Sequence, residues 1–266
     1  MKVDRLEAIR HHLYAQGASS MDALATLIGV SAATVRRDVQ TLEQQGFVSR
    51  THGGVRLIGK ADVEIAFEVR EQQNLPQKRA IAALAYHLVE PQSSIFLDAG
   101  TTVLQLARRL RLEPMPLTVF TNGLRVAQEL MGVPKLKVTL IGGQLRAENA
   151  SLVGPAAEAV LGRLWLDKLF LGANAIGDDA CIYSIDAAEA SLAERMIARA
   201  ASTVVLTESG KFGRRATFLV ARLVPSMRVI TDCGVDAARC RAVRDAGVIV
   251  TLADPEPGDA AGRCSP

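Results

Sequence analysis

The chain has 266 residues, is 49% hydrophobic and carries a formal net charge of +3 at pH 7. This length fits two domains, since domains commonly run to about 100–200 residues. The mild charge argues against a protein that coats nucleic acid by dense phosphate neutralisation. No apolar run reaches the roughly 18 residues that a membrane-spanning helix needs, and residues 1–5 do not resemble a signal peptide. We therefore expect a cytoplasmic protein with no membrane partner.

The cysteines give no sign of a metal centre. None of the four, at positions 181, 233, 240 and 264, forms a C-x-x-C pair or stands at zinc-finger spacing from a histidine. We expect neither a metal ion nor a cofactor.

Residues 1–58 predict three helices followed by a pair of short strands. Apolar residues recur at spacings of three and four over residues 3–13, which indicates the first helix. A second helix starts at Ser19 or Ser20 and ends at Gly29. Ser31 caps the third, whose predicted buried stripe consists of Val35, Val39 and Leu42.

The outer face of the third helix is basic and amide-rich. Arginine bonds guanine bidentately and glutamine bonds adenine, while either arginine could instead hold a phosphate. Small residues at its start allow close approach to bases. The alternative is an ordinary solvated helix face, but the preceding helices and the Gly-Val turn favour DNA binding. The predicted DNA contacts of this helix are Ser31, Ala32, Ala33, Thr34, Arg36, Arg37 and Gln40.

The segment after the third helix is typical of a wing. Residues 47–50 and 55–57 read as strands joined by a glycine turn. Arg50, His52 and Arg56 are placed to touch phosphates beside the groove. His52 is equally explained as a turn residue.

The sequence of residues 30–54 follows the pattern V-S-x-x-T-V-R-R-D-V-x-x-L-E-x-x-G-F-V-x-R-x-H-G-G. This long, gap-free pattern closely resembles the DeoR family of bacterial transcriptional regulators. The resemblance implies a winged helix-turn-helix, usually in a repressor.

Residues 59–75 are polar and charged and form the predicted linker. The family has a Phe-x-x-Arg pair here, matched by Phe67 and Arg70, and then a lysine, matched by Lys78. We expect this segment to couple the two domains, and the alternative is a flexible tether.

Residues 76–252 alternate between strand and helix patterns and predict an α/β domain with a mostly parallel sheet. The predicted strands are 94–98, 117–121, 137–141, 168–171, 203–206, 228–231 and 248–250. The predicted helices are 103–110, 124–131, 156–164, 187–198 and 236–245. Residues 253–266 are expected to form a disordered tail.

Small and polar residues follow five of these strands, where parallel sheets bind ligands. A Gly-Thr-Thr run opens a helix whose amides and dipole suit a phosphate. Lys211 adds positive charge, Asp98 and Asn122 suit sugar hydroxyls, and glycines leave room beside the backbone. Each feature alone is more often an ordinary cap or turn, so the prediction rests on their convergence.

The resemblance continues through this domain. Its motifs are Asp98-Ala-Gly-Thr-Thr, Thr121-Asn, Ile141-Gly-Gly, Phe170-Leu-Gly-Ala-Asn, Asp186-x-x-Glu and Ser209-Gly-Lys-Phe-Gly. They are similar to the DeoR sensor domain, which implies an isomerase-like fold related to ribose-5-phosphate isomerase that senses a phosphorylated sugar. The implied effector contacts are Asp98, Gly100, Thr101, Thr102, Thr121, Asn122, Gly142, Gly143, Gly172 and Lys211.

Three positions depart from the family pattern: Cys181 replaces a usual glycine, Ala193 a usual lysine, and Glu208 a usual aspartate. These departures bear on effector identity.

We therefore predict a DNA-binding regulator, most often a repressor of carbohydrate genes, that acts as a dimer or tetramer on an operator under control of a phosphorylated sugar. The alternative is a sugar-phosphate isomerase with an appended DNA-binding domain. The isomerases of this fold carry a motif similar to Gly-Ala-Asp-Glu where this chain has Asn174, which cannot act as a base. The carboxylates that could substitute for it are Asp98, Asp186, Glu189 and Glu208. A pocket related to that of an enzyme does not imply the activity, so we expect no catalysis. A nucleoid-type binder fits neither the predicted pocket nor the modest charge.

Overall fold

The computed structural model describes residues 2–44, 47–51, 54–57 and 67–255. The chain divides into two compact units, residues 1–70 and 71–266. Within the described part, no helix is both long and apolar enough to cross a membrane.

The three predicted helices of the first unit are confirmed: α1 (Lys2–Gln16), α2 (Met21–Ile28) and α3 (Ala32–Gln44). Ser20 is the cap that starts α2, because its Oγ accepts the N–H of Ala23 at 3.1 Å. Gly29 ends that helix, and its N–H donates to the carbonyl of Ala25. The short turn that follows brings α3 back across the other two helices.

The core of the first unit is a single apolar cluster that includes the predicted stripe of α3. Its buried members are Ile9, Leu13, Leu24, Val35, Val39, Leu42, Val48 and Val55. Because one face of α3 is buried here, the opposite face is presented to solvent.

The predicted strand pair is confirmed as β2 (Val48–Thr51) and β3 (Gly54–Leu57), which pair antiparallel. A third strand, β1 (Ala18–Ser20), pairs with the other side of β3 and was not predicted. Three small residues give no periodic pattern, so only the pairing reveals this strand. His52 and Gly53, in the predicted turn, lie outside the described residues.

Two helices occupy the region around the predicted linker. They are α4 (Phe67–Gln72) and α5 (Leu75–Tyr86). Phe67 is buried, and the guanidinium of Arg70 stands over its ring at 5.8 Å from the centroid. The linker's residues 59–66 lie outside the described residues.

All seven predicted strands of the second unit are confirmed, and they form one parallel sheet. The strands are β4 (Ser94–Leu97), β5 (Leu117–Thr121), β6 (Leu136–Leu140), β9 (Leu166–Gly172), β12 (Ala200–Leu206), β14 (Met227–Asp232) and β15 (Ile249–Ala253). Their spatial order is β15-β14-β12-β9-β4-β5-β6. Because the sheet is parallel, the carboxyl ends of all seven strands meet at one edge.

Helices cover this sheet and include the five that were predicted. They are α6 (Thr101–Leu112), α7 (Leu124–Leu130), α8 (Pro155–Leu161), α9 (Ala187–Ala198) and α10 (Ala237–Asp245). The central strands are almost continuously apolar, and Phe96, Leu169 and Val205 are fully buried. Burial on both faces is what a parallel sheet between helices requires.

Two small antiparallel sheets were not predicted. One is a hairpin of β7 (Gln144–Arg146) and β8 (Ser151–Val153). The other joins β10 (Ala175–Ile176), β11 (Cys181–Ser184) and β13 (Phe218–Arg222). These strands are two to five residues long, too short to produce an alternating pattern that stands out from a loop.

Candidate functional site

The solvent-facing side of α3 carries most of the predicted DNA contacts. Ser31, Ala33, Arg36, Arg37 and Gln40 are exposed, whereas Ala32 and Thr34 are half-buried in the first turn. The N–H of Thr34 donates to Ser31 Oγ at 3.3 Å, which caps the helix. Two guanidinium groups and an amide therefore share one accessible face.

An ion pair with a buried carboxylate supports the orientation of that face. The carboxylate of Asp38 is nearly inaccessible, and it accepts Arg5 Nε at 2.9 Å and Arg5 Nη2 at 3.3 Å. The hydrogen bond to Asp38 raises the pKa of Arg5. Sequence reasoning missed this pair, although an aspartate on the apolar stripe of α3 was a clue. The pair ties α3 to α1 beside the exposed arginines.

The wing is attached to the end of α3. Arg50 Nε lies 3.1 Å from Glu43 Oε2, and Arg50 Nη2 donates to the carbonyl of Arg36 at 3.4 Å. On the paired strand, Arg56 Nε donates to Ser49 Oγ at 3.2 Å. Arg50 and Arg56 thus lie at the protein surface with their guanidinium groups engaged, and His52 is outside the described residues.

Asp98 joins three neighbouring strands at the carboxyl edge of the large sheet. Its Oδ2 accepts the N–H of Gly172 at 3.0 Å, and it also receives hydrogen bonds from the Ala99 backbone and the Asn122 side chain. Burial raises the pKa of Asp98 to about 6, and the nearby negative charge of Glu189 adds to this rise. Asp98 therefore holds the ends of β9, β4 and β5 together.

Two of the predicted glycines, Gly143 and Gly172, permit close backbone approach. A Cβ on Gly172 would lie 3.1 Å from Asp98 Oδ2 and 3.4 Å from the Cα of Gly100. Gly143 has a φ of 122°, and its Cβ would lie 2.6 Å from the carbonyl oxygen of Val153. Gly142, with a φ of 75°, completes the same turn after β6.

The start of α6 presents backbone amides at this edge. Gly100 is its N-cap, and no side-chain hydrogen bond caps the helix among the described residues. The first amides of a helix have no partner within it, and the helix dipole favours a negative charge there. Thr101 and Thr102 are largely buried beside them.

The last residue of β5 and the residue that follows it differ in their hydrogen bonding. Thr121 is fully buried, and its Oγ1 accepts the N–H of Gly123 at 2.9 Å, so it shapes the turn. Asn122 is 3% exposed, and its Oδ1 has no hydrogen-bond partner in the described part of the chain. An unsatisfied buried acceptor of this kind points to a missing donor.

Lys211 lies half-buried in a single 3₁₀ turn, Ser209–Lys211, after β12. Asp232 secures this turn, because its Oδ1 accepts the N–H of Ser209 at 2.7 Å and its Oδ2 accepts the N–H of Gly234 at 3.0 Å. The turn belongs to the same sheet edge as Asp98, since β12 lies beside β9.

Glu208, one of the departures, neutralises a buried cation. The ammonium of Lys78 is almost fully buried and lies 3.4 Å from Glu208 Oε1, while Asn74 Nδ2 donates to Glu208 Oε2 at 2.6 Å. Glu208 therefore places a negative charge beside a buried ammonium, which also donates to the carbonyl of Gln73.

The other two departures lie on other elements of the second unit. Cys181 is a buried free thiol at the start of β11, and Ala193 packs half-buried on α9.

An ionic cluster that the sequence did not reveal lies beside Asp98. Glu189 Oε1 lies 2.7 Å from Arg146 Nη1 and accepts Asn149 Nδ2 at 2.7 Å and Ser151 Oγ at 2.9 Å. Arg146 Nε also lies 3.6 Å from Asp186 Oδ2. The cluster unites the β7–β8 hairpin with the first turn of α9, two elements that are separate in the sequence.

Two family models match this chain. The DeoR-like helix-turn-helix domain matches residues 5–61, and the DeoR C terminal sensor domain matches residues 73–233. The chain belongs to the DeoR family. As a DeoR-family protein it is a DNA-binding transcriptional regulator, and the predicted order of a winged helix-turn-helix before an α/β sensor domain is confirmed.

Known DeoR-family relatives are similar over nearly their whole length. The HTH-type transcriptional regulator GlpR of Haloferax volcanii is 37% identical, over 87% of this chain and 90% of its own. The HTH-type transcriptional repressor CsqR of Escherichia coli K12 is 33% identical, over 89% of this chain and 90% of its own.

Among solved structures, ribose 5-phosphate isomerase A from Methanocaldococcus jannaschii aligns with this DeoR-family chain at a TM-score of 0.39. The alignment has 18% identity and covers 53% of this chain and 55% of the isomerase.

Proposed function

We propose that this DeoR-family regulator represses carbohydrate genes by binding a double-stranded operator, and that a phosphorylated sugar modulates this binding. One observation carries the proposal. The same chain has an exposed basic face on α3 and, at the carboxyl edge of its parallel sheet, a group of polar residues at the start of α6.

The exposed face of α3 supports the DNA half of the proposal. Arg36, Arg37 and Gln40 read base edges in the major groove, and the first turn from Ser31 to Thr34 contacts the adjoining backbone and bases. Arg50 exchanges Glu43 for a phosphate, while Arg56 and His52 contact phosphates from the wing.

The sheet edge supports the effector half. A phosphate binds at the amides of Gly100, Thr101 and Thr102, where the helix dipole attracts it. Lys211 approaches from the turn after β12. Asn122 accepts from the sugar, and Gly142, Gly143 and Gly172 form the backbone wall of the site. Asp98 and Thr121 maintain its shape.

A homodimer or tetramer completes the mechanism. Two recognition helices, one from each subunit, enter successive major grooves about 34 Å apart. The effector favours one quaternary arrangement, and a coupling free energy of about 1–3 kcal/mol changes operator affinity roughly 5–150-fold.

We infer that the chain does not isomerise its ligand. The isomerases of this fold carry a motif similar to Gly-Ala-Asp-Glu at the turn where this chain has Asn174. Here Asn174 Nδ2 donates to Ser184 Oγ at 3.4 Å, and a side-chain amide cannot remove a proton from a substrate. Asp98 is the carboxylate with a raised pKa at this edge, but Gly172 and Asn122 already engage it. Turnover of a sugar phosphate by the purified protein would contradict this inference.

The first test is binding to the DNA upstream of the gene, at stated salt, with and without a panel of sugar phosphates. Loss of specific binding on addition of one sugar phosphate supports the proposal. Specific binding that no panel member alters contradicts the effector half alone, and absence of specific binding contradicts the DNA half.

Lys211→Ala tests the effector site within the same assay. We expect the variant to bind the operator normally and to lose at least about tenfold in effector affinity, because a charge-assisted contact to phosphate is removed. Lys137→Ala, at an exposed position on β6, is the matched control. An unchanged effector response in Lys211→Ala would exclude this lysine from the site.

A further inference from the structure

Acidic side chains outnumber basic ones at one end of the proposed effector site. Among the described residues, Asp186 and Glu189 both pair with the guanidinium of Arg146, and the negative charge of Glu189 acts on Asp98. These three carboxylates and one guanidinium carry a net charge of −2 when all four are ionised.

These groups form one connected cluster. Arg146 bridges Glu189 at 2.7 Å and Asp186 at 3.6 Å, and the charge of Glu189 acts on Asp98. The hairpin that carries Arg146 is attached to the end of β5, because the N–H of Leu152 donates to the carbonyl of Asn122 at 2.8 Å. The acidic end therefore adjoins the residues that follow β4 and β5.

Asn122 provides an independent indication of what binds here. Its side chain donates to Asp98, which fixes the amide so that Nδ2 faces the carboxylate and Oδ1 remains as an acceptor. Asn122 is 3% exposed, and that Oδ1 lacks a partner among the described residues. A ligand that satisfies it must supply a hydrogen-bond donor.

We propose that this end of the site receives the uncharged, hydroxyl-bearing end of a sugar phosphate and excludes a sugar acid phosphate. The inference rests on the proposed function, which places the phosphate at the start of α6. Ligand hydroxyls donate to Asn122 Oδ1 and to the carboxylates. A ligand carboxylate has no donor to offer, and it meets a site of its own sign, so the cluster selects by repulsion as well as by attraction.

Matched ligands that differ only at carbon 1 test the proposal on the unaltered full chain. Calorimetric titrations compare an aldose phosphate, its alditol phosphate and its aldonate phosphate: erythrose, erythritol and erythronate 4-phosphates, the ribose 5-phosphate series and the glucose 6-phosphate series. In whichever series binds, we expect the aldonate to bind at least about tenfold more weakly than the alditol.

Two results overturn the proposal in distinguishable ways. If sugar phosphates bind and the aldonate binds as tightly as the alditol or more tightly, the selection inferred here is wrong and the proposed function stands. If no terminally phosphorylated compound of any series binds, the proposed effector class fails and this inference fails with it.

Glu189→Gln then locates the source of the selection. The amide retains an acceptor for Asn149 and Ser151 but removes one negative charge. We expect the alditol-to-aldonate affinity ratio to fall at least about threefold, while Glu194→Gln, at an exposed position on the same helix, leaves the ratio unchanged. An unchanged ratio in a folded Glu189→Gln protein would contradict the role of this charge, and the ligand series on the unaltered chain decides the proposal if the variant does not fold.

Discussion

Arg37 and Arg50 belong to the same basic surface, but their surroundings differ at the level of single contacts. Arg37 is exposed on α3, whereas Arg50 is 3.1 Å from Glu43 and also reaches the carbonyl of Arg36. A side chain with no carboxylate partner among the described residues suits a base contact, while one that must first leave an ion pair suits a phosphate.

Arg37→Ala should therefore weaken specific operator binding by about 1–3 kcal/mol and leave binding to random DNA nearly unchanged. Arg50→Ala is the comparison, and it should weaken both by similar factors. The measurement is a pair of titrations with operator and random duplexes at one salt concentration. Equal losses for Arg37→Ala on both duplexes would reassign Arg37 to a phosphate.

Asp38 and Glu43 offer a second contrast between two carboxylates on α3. Asp38→Ala should lower the free energy of unfolding of the first unit by about 1–3 kcal/mol, because it removes a buried carboxylate with two charge-assisted hydrogen bonds. Glu43→Ala, whose ion pair is exposed, should cost less than about 1 kcal/mol. Urea unfolding of the two variants measures both losses in the free energy of unfolding. Equal losses would show that the Arg5–Asp38 pair stabilises the protein no more than an exposed ion pair does.

At the scale of elements, α6 connects two functional regions of the second unit. Its first turn forms the proposed phosphate site, and near its other end Arg108 pairs with Glu71 of α4 and with Glu129 at the end of α7. Glu71 is the first residue of the second unit, so this ion pair anchors the point at which the chain enters it. We propose that α6, which carries both the proposed phosphate site and this anchor, takes part in the coupling expected of the segment before Glu71.

Arg108→Ala should consequently reduce the effect of the effector on operator binding at least about threefold while leaving effector affinity itself unchanged. Arg109→Ala is the control, because the ion pair of this neighbouring arginine is with Glu113, one turn along, and its guanidinium stands over the ring of Tyr86 of α5, away from Glu71 and Glu129. DNA titrations with and without effector measure the response. If the effector changes operator binding by Arg108→Ala as much as it changes binding by the unaltered protein, the ion pairs of Arg108 play no part in the coupling.

At the scale of the whole molecule, protonation of Asp98 links stability to pH. Its pKa in the folded protein is about 6 against an ordinary value of 3.8, so the folded state binds more protons than the unfolded state between these values. The contribution of Asp98 to the free energy of unfolding is complete below about pH 4 and is lost as pH rises through 6. Two pKa units correspond to at most about 3 kcal/mol.

Asp98→Asn should abolish that dependence. The difference in the free energy of unfolding between the two proteins should change steadily from pH 4 to pH 6.5 and stay constant above it, as measured by urea unfolding of the full chain. The pKa values of Asp167 and Asp179 are lowered, mainly by hydrogen bonds from Ser94 and Tyr183. These two groups therefore make the free energy of unfolding rise with pH, in a more acidic range than that of Asp98. A difference that does not vary with pH would contradict the raised pKa.

Local pattern was sufficient for most elements of this fold. The stripe of Val35, Val39 and Leu42 identified α3, and apolar runs such as 117–121 identified the parallel strands, since burial demands the same residue types wherever these elements occur. The short strands β1, β7 and β10 were missed because they are defined by pairing partners and not by their own composition.

The sequence by itself determined the two-domain order, the exposed face of α3 and the sheet edge to which Asp98, Asn122 and Lys211 belong, because each of these follows from periodicity or from the end of a strand. Only the tertiary structure decided that Thr121 is turned inward, that Glu208 serves the buried Lys78 and that Arg146 meets Glu189. Arg146 and Glu189 are 43 positions apart (189 − 146), and Lys78 and Glu208 are 130 apart (208 − 78). Whether two charged residues so far apart in the sequence form a pair depends on where the folded backbone places them. The residues that flank each of them in the sequence give no information about that position.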